Sequence, residues 1–230
     1  MKTHIIYLRG NEFSETMVKD TIKSLNKFGI GFELFDGVVG RKGIEVLNSY
    51  NVKPSAHVNM ADWTDGTLGC LASHYLLWDE CSKQDQPFLI LEQDAVIIRD
   101  PREILHLVET ACHLDAYLPF NNSGVITEHE HFKAYNDAIK LYNGGVKKHP
   151  ISRFYGDKSV TGSTFRGAYG YIITPKGAKE ILDFINKKGI FPADACLCEN
   201  ATDIQRSNST YVRLNPFFET LDLQRKFSSR

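Results

Sequence analysis

At 230 residues, with 42% hydrophobic and 11% aromatic content, the chain can bury one sizeable core, and a single domain over residues 1–230 is the expectation. Its formal charge of -1 excludes the global basic field that drives sequence-independent binding to nucleic acid or to anionic membranes. The five cysteines are odd in number and set in apolar segments. With no signal peptide and no membrane-spanning run in view, they fit reduced thiols in a cytoplasmic protein without an integral membrane segment.

The apolar run at residues 4–8 suits a central parallel strand, and a polar loop follows at 9–13. Val18, Ile22, Leu25 and Phe28 recur at helical spacing over 14–28, and Gly29 stands where that helix would end. Residues 32–35 form a second strand closed by Asp36-Gly37, so the first thirty-five or so residues read as a βαβ unit with a right-handed crossover. Residues 68–82 read as a helix with Leu71, Tyr75 and Trp78 on one side, leading into the strand at 87–94. Asp100-Pro101-Arg102-Glu103 is a helix start. A strand is expected at 116–120 and a helix at 130–142, stopped by Asn143-Gly144-Gly145. A strand at 169–173 precedes a helix opened by Thr174-Pro175, striped by Ala178, Ile181, Leu182 and Ile185 and ended at Gly189. A short strand at 211–214 closes the series. This alternation predicts an α/β fold, an open, mostly parallel sheet with helices on both faces. The weakly patterned stretches 38–66 and 121–166 are expected to be binding loops or lids.

Pro-Phe-Leu-Ile-Leu-Glu-Gln-Asp at 87–94 carries the most chemistry. A run this apolar reads as a strand buried on both faces, and it ends in two carboxylates one residue apart. Acids at strand ends often only cap a helix or sit in solvent. Buried and unpaired, however, Glu92 and Asp94 would need a cation, a hydrogen-bond cluster or water. At the carboxyl edge of an open α/β sheet, where ligands bind, such a pair can hold a divalent metal through hard oxygen ligands.

The motifs Phe-Glu-Leu-Phe-Asp-Gly-Val at 32–38, Leu-Gly-Cys-Leu-Ala-Ser-His at 68–74 with Trp78, Leu-Ile-Leu-Glu-Gln-Asp-Ala at 89–95, and Gly-Ala-Tyr-Gly-Tyr-Ile-Ile at 167–173 followed by Lys176-Gly177-Ala178 stand in an order that resembles glycosyltransferase family 25. The resemblance covers roughly residues 3–200. It implies a single GT-A-type nucleotide-diphospho-sugar transferase domain, with a donor-binding part over about 1–120 and an acceptor-side part over about 121–230. It also implies a UDP-sugar donor and Mn2+ or Mg2+.

Carried over residue by residue, Asp94 matches the last acid of the family triplet and is the first metal candidate. Glu92 matches the first and binds either metal or the donor's ribose. Gln93 stands where relatives often have Asp, one charge fewer at the metal. For Ser73 and His74 two roles stay open, packing or a place near the donor phosphates. Leu8 and Arg9, after the first strand, and Asp36, after the second, are further donor-side candidates; relatives tend to be arginine-rich after the first strand, and here only Arg9 is offered. Gly167 and Ala168 are small enough to lie against the donor sugar or simply to pack strand on helix. Asp194 is the leading base for the acceptor hydroxyl, giving inversion at C1, with Glu199 and Asp203 behind it. No histidine lies beyond His149 as a late metal ligand, and Glu219 or Asp222 would have to substitute.

Two functions other than transfer to a glycan or lipid-linked oligosaccharide at the cytosolic side of a membrane, peripheral to it, remain open from sequence. One is the same chemistry on a hydroxylated base in DNA. The other is a non-catalytic nucleotide-sugar or glycan-binding module.

Overall fold

The N-terminal apolar run becomes an inner strand because its side chains are buried from Thr3 through Tyr7 on both sides of the sheet. In the computed structural model, which describes residues 1–55, 63–114, 146–147, 167–198, 200–207 and 211–214, this is β1 (Lys2–Tyr7). It is followed by α1 (Glu12–Lys27), β2 (Glu33–Asp36), α2 (Lys42–Ser49), α3 (Asp65–Ser82), β3 (Phe88–Glu92) and β4 (Ala95–Ile97). A 3-10 helix (Pro101–Leu107) leads to β5 (Ala111–His113), β6 (Val146–Lys147) and β7 (Gly170–Ile173). Then come α4 (Pro175–Lys188), α5 (Ala193–Cys196), β8 (Ile204–Ser207) and β9 (Val212–Leu214).

Seven strands form one mixed sheet in the order β2-β1-β3-β7-β5-β8-β6, and β4 pairs with β9 apart from it. β1, β2 and β3 are parallel, β7 runs against β3 and β5, β8 is parallel to β5, and β6 is antiparallel to β8. Five of the seven strands therefore share a direction, as the strand–helix alternation predicts. The carboxyl ends of β1, β2, β3 and β5 lie along one edge, together with the entry to β7.

Helices cover both faces. On one, α3 and α4 bury Leu71, Tyr75, Trp78, Ile181 and Ile185 against Ile6, Phe88, Ile90, Tyr171 and Ile173. On the other, Val18 and Leu25 of α1 pack with Ile5, Leu89, Leu91, Ile172 and Val212. The helix starts are capped as their residues suggest: Asn11 accepts from the Ser14 amide, Thr64 from Thr67, and Thr174 from Gly177 with Pro175 behind it. α4 stops at Gly189, whose φ of 88° suits glycine.

Several elements differ from expectation. α3 starts at Asp65, capped by Thr64, three residues before the expected start at 68. The helix start at Asp100-Pro101 is present and opens a 3-10 helix, with Asp100 as its cap. α2 occupies the weakly patterned stretch after residue 38, and β4, β5 and β8 are additional strands. The strand expected at 116–120 and the helix expected at 130–142 lie outside the described residues. All five cysteines are free thiols.

Candidate active site

Alternation along β3 decides what its acidic end does. Successive side chains point to opposite faces, so Phe88 and Ile90 join the α3 and α4 cluster while Leu89 and Leu91 join that of α1. Glu92 continues the first set and meets α3. Gln93 turns to α1, where its Oε1 accepts from Ser14 Oγ at 2.8 Å and its carbonyl accepts from Thr21 Oγ1 at 2.6 Å. Ser14 Oγ in turn accepts from the Leu8 amide at 2.7 Å. The middle residue of the triplet thus ties α1 and the end of β1 to the turn after β3.

Glu92 Oε1 receives two contacts from α3, His74 Nε2 at 3.1 Å and the Cys70 thiol at 3.5 Å. Both come from one helix face because Cys70, His74 and Trp78 are spaced by four. His74 is fully buried, and its Nδ1 lies 2.7 Å from the Tyr171 hydroxyl, which also accepts from Trp78 Nε1 at 2.8 Å. Tyr171 reaches this point because β7 pairs with β3 in a register that sets Ile90 beside Tyr171. Burial holds its phenol well above the ordinary tyrosine value, so it keeps its proton. The Cys70 thiol is likewise pushed well up, first by burial and then by the charges of Glu92, Asp194 and Asp94. Those three carboxylates therefore act on one small region.

Asp94 sits in the turn between β3 and β4. Its Oδ1 is buried with no hydrogen-bond partner among the described residues. Burial first, then the Glu92 charge, push its carboxyl up to about 7 despite a hydrogen bond to its own backbone. An acceptor left without a donor beside a second carboxylate is what a cation satisfies. Glu92 and Asp94 offer hard oxygens suited to Mn2+ or Mg2+, so the residues present fit such an ion. Cys70, His74 and Glu92 form a second set, with ligand atoms within 4.8 Å of one another, although His74 Nε2 and Cys70 Sγ already contact Glu92.

The second half of the chain closes the site through Gly167 and Asp194. The Gly167 amide donates to Asp194 Oδ2 at 3.3 Å, and its carbonyl lies 3.0 Å from His113 Nε2 at the end of β5. Gly167 has a φ of 74°, and a Cβ there would strike the Tyr169 ring, so glycine is required at this bend. Ala168 is buried in the core. Glu199, Glu219 and Asp222 lie outside the described residues. Asp203 precedes β8, whose start is level with the start of β5, and so stands at the opposite edge of the sheet.

At the ends of β1 and β2, Arg9 reaches Asp36 through its amide and its Nε, both at 3.3 Å, and its Nε also donates to the Tyr7 hydroxyl at 3.2 Å. Leu8 and Asp36 are thereby at the same sheet edge as Glu92, since Ile6 is level with Glu92 and Tyr7 with Asp36. Ser73 is buried and fully used: its hydroxyl donates to the Gly69 carbonyl at 2.7 Å and accepts from the Val38 amide at 2.8 Å. It fastens the loop after β2 onto α3. Gly69 permits this approach, because a Cβ would strike the Val38 carbonyl.

Every described candidate except Asp203 falls at or beside this one edge. Cys70, Tyr171, Trp78 and His113 are partners that sequence reasoning did not assign to the site. The spacing of Cys70 and Trp78 from His74 is a usable signal for two of them. The meeting of Tyr171 with His74 depends on strand register and leaves no local trace.

A mixed α/β sheet covered on both faces, with carboxylates gathered at the carboxyl edge, is consistent with a single domain of the nucleotide-diphospho-sugar transferase type. The chain belongs to glycosyltransferase family 25, described as an LPS biosynthesis protein family, which it matches over residues 2–197. It is 26% identical over 165 residues to the lipooligosaccharide biosynthesis protein lex-1 of Haemophilus influenzae, covering 70% of this chain and 51% of that protein. It is 29% identical over 76 residues to the lipooligosaccharide biosynthesis protein lic2B of Haemophilus influenzae, covering 33% of this chain and 27% of that protein. The chain thus spans about half the length of lex-1. Among the described residues no helix is long and apolar enough to cross a membrane.

Proposed function

We propose that this chain is a metal-dependent, inverting glycosyltransferase that moves a sugar from a UDP-sugar to a hydroxyl of a lipooligosaccharide-type glycan. The family, and the part of lex-1 and lic2B in lipooligosaccharide biosynthesis, support the reaction class and the acceptor class. The observation that carries the metal and the diphosphate is the buried, unpartnered Asp94 Oδ1 beside Glu92.

In this reading Asp94 and Glu92 hold a divalent ion, which when bound neutralises charge on the departing diphosphate. Leu8, Arg9 and Asp36 face the nucleoside side of the same edge, in the part of the chain up to about residue 120. Gly167 and Ala168 let backbone lie against the donor sugar, and Ser73 holds the loop that follows Asp36. Asp194, fixed by the Gly167 amide, takes the proton of the attacking hydroxyl. Attack from the side opposite the leaving group inverts the anomeric centre.

The test is UDP release from a panel of UDP-sugars with Mn2+ and a truncated lipooligosaccharide acceptor, in the wild type and in Asp94→Ala. Acceptor-dependent release by the wild type, lost in the variant and in chelator, is expected. Release that is unchanged in chelator refutes the metal, and a wild type that neither turns over nor binds UDP refutes the transferase.

A further inference from the structure

We infer that Tyr171, backed by Trp78, is a positioning residue: it holds His74 as the neutral tautomer protonated on Nε2, and His74 then pins Glu92 Oε1 so that the other oxygen is kept for the bound cation. The inference deepens the proposed function and rests on Glu92 being a ligand-facing carboxylate.

The donor and acceptor roles follow from chemistry. Trp78 Nε1 can only donate, so Tyr171 must accept from it at 2.8 Å. The Tyr171 proton is then free for the one other contact its oxygen makes among the described residues, His74 Nδ1 at 2.7 Å. Nδ1 therefore accepts, and in a neutral ring the proton sits on Nε2. Nε2 faces Glu92 Oε1 at 3.1 Å, and an ionised carboxylate can only accept. Every proton in the chain Trp78–Tyr171–His74–Glu92 has one acceptor.

The arrangement is buried where it must be rigid and opens where it must be used. Trp78, Tyr171 and His74 are all fully buried, whereas the Glu92 side chain retains 24% exposure. Both contacts to Glu92, from His74 and from the Cys70 thiol, converge on Oε1. The chain thus fixes the rotation of the carboxylate without consuming Oε2. It also argues against a soft cation on Cys70, His74 and Glu92, since that site would need Nε2 deprotonated and the proton moved to Nδ1.

The experiment has two arms. Nitrogen-15 shifts of His74 in the metal-free protein at pH 7.5 report its tautomer, and a Mn2+ titration reports affinity in wild type, Tyr171→Phe, His74→Gln, His74→Met and Asp94→Asn. We expect the Nε2-protonated neutral form in the wild type and its loss of definition in Tyr171→Phe. Mn2+ affinity falls about tenfold or more in Tyr171→Phe and His74→Met, the usual scale for removing an orienting partner. His74→Gln, whose amide still donates to Glu92, stays within about threefold of wild type, which a purely structural role for His74 would not predict. An Nδ1-protonated or cationic His74, or, when Co2+ is titrated in place of Mn2+, a thiolate-to-cobalt band abolished by Cys70→Ser, overturns the inference. Mn2+ binding that is lost in Asp94→Asn but unchanged in Tyr171→Phe and His74→Met overturns the inference and leaves the metal reading standing. No Mn2+ binding by the wild type overturns both.

Discussion

Glu92 and Gln93 are adjacent in the chain and end in opposite halves of the core. Glu92 meets a buried polar chain from α3 and β7, whereas Gln93 meets two hydroxyls of α1. In the proposed function the face toward α3 builds the site and the face toward α1 holds it in place. Gln93 therefore bears on the position of α1, and the charge missing from the middle of the triplet is missing on the side away from Glu92.

The largest effect is expected at Asp94, whose Oδ1 has no hydrogen-bond partner among the described residues. Asp94→Asn should cut transfer at least on the order of 100-fold, as expected when several kcal/mol of charge stabilisation is lost. The same substitution should stabilise the metal-free fold. The folded-state pKa of Asp94 is raised from 3.8 to about 7, so the stability it allows is full below 3.8 and is lost as pH rises toward 7. In chelator, Asp94→Asn should melt higher than wild type at pH 8 and level with it near pH 4, by calorimetry. A variant that melts lower at pH 8 contradicts the buried, unpartnered carboxylate.

On the α3 face, Gly69→Ala drives a Cβ into the Val38 carbonyl. A cost of about 1–3 kcal/mol is expected from such overpacking, with weaker UDP binding because the loop after Asp36 is displaced. Equal melting temperatures would show that this loop yields freely.

Gln93→Ala sharpens the contrast from the other face. It should cost about 1 kcal/mol of stability through the lost Ser14 bond while leaving Mn2+ affinity within about twofold. A large loss of metal affinity would place Gln93 in the site after all.

The smallest effect concerns His4, buried on the α3 face against Phe88, with its Nδ1 3.8 Å from Glu33 Oε2. Burial lowers its pKa below the ordinary 6.5, outweighing the opposing fields of Glu80 and Glu33. The stability contributed by the neutral ring is therefore present above pH 6.5 and is lost as pH falls below it. His4→Leu should reduce the drop in melting temperature between pH 7.5 and 5.5 by a few degrees. Unlike His74, whose two nitrogens are both engaged, His4 leaves Nε2 without a partner among the described residues.

What could be read in advance depended on whether the determinant was local. β3 was legible because four consecutive apolar residues need no partner to announce a buried strand, and α4 because Thr174, Pro175 and Gly189 mark its ends. α2 was not, since its first residue has no side-chain cap. Gly43 instead lets its backbone lie against the Leu68 carbonyl, a contact between segments. β5 is three residues long, too short for alternation to register. In the site the same rule holds: the acids are visible at the end of their strand, and Asp194 was drawn from the family pattern. The chain through Tyr171 follows from the β3–β7 register, which joins residues about eighty positions apart.

UDP binding by calorimetry, with Mn2+ and with chelator, in wild type and Asp94→Asn, tests the central claim most directly. The account predicts that Mn2+ tightens UDP binding in the wild type by at least about tenfold and does nothing in the variant. UDP affinity that is the same with and without Mn2+, or equally metal-dependent in Asp94→Asn, would contradict it.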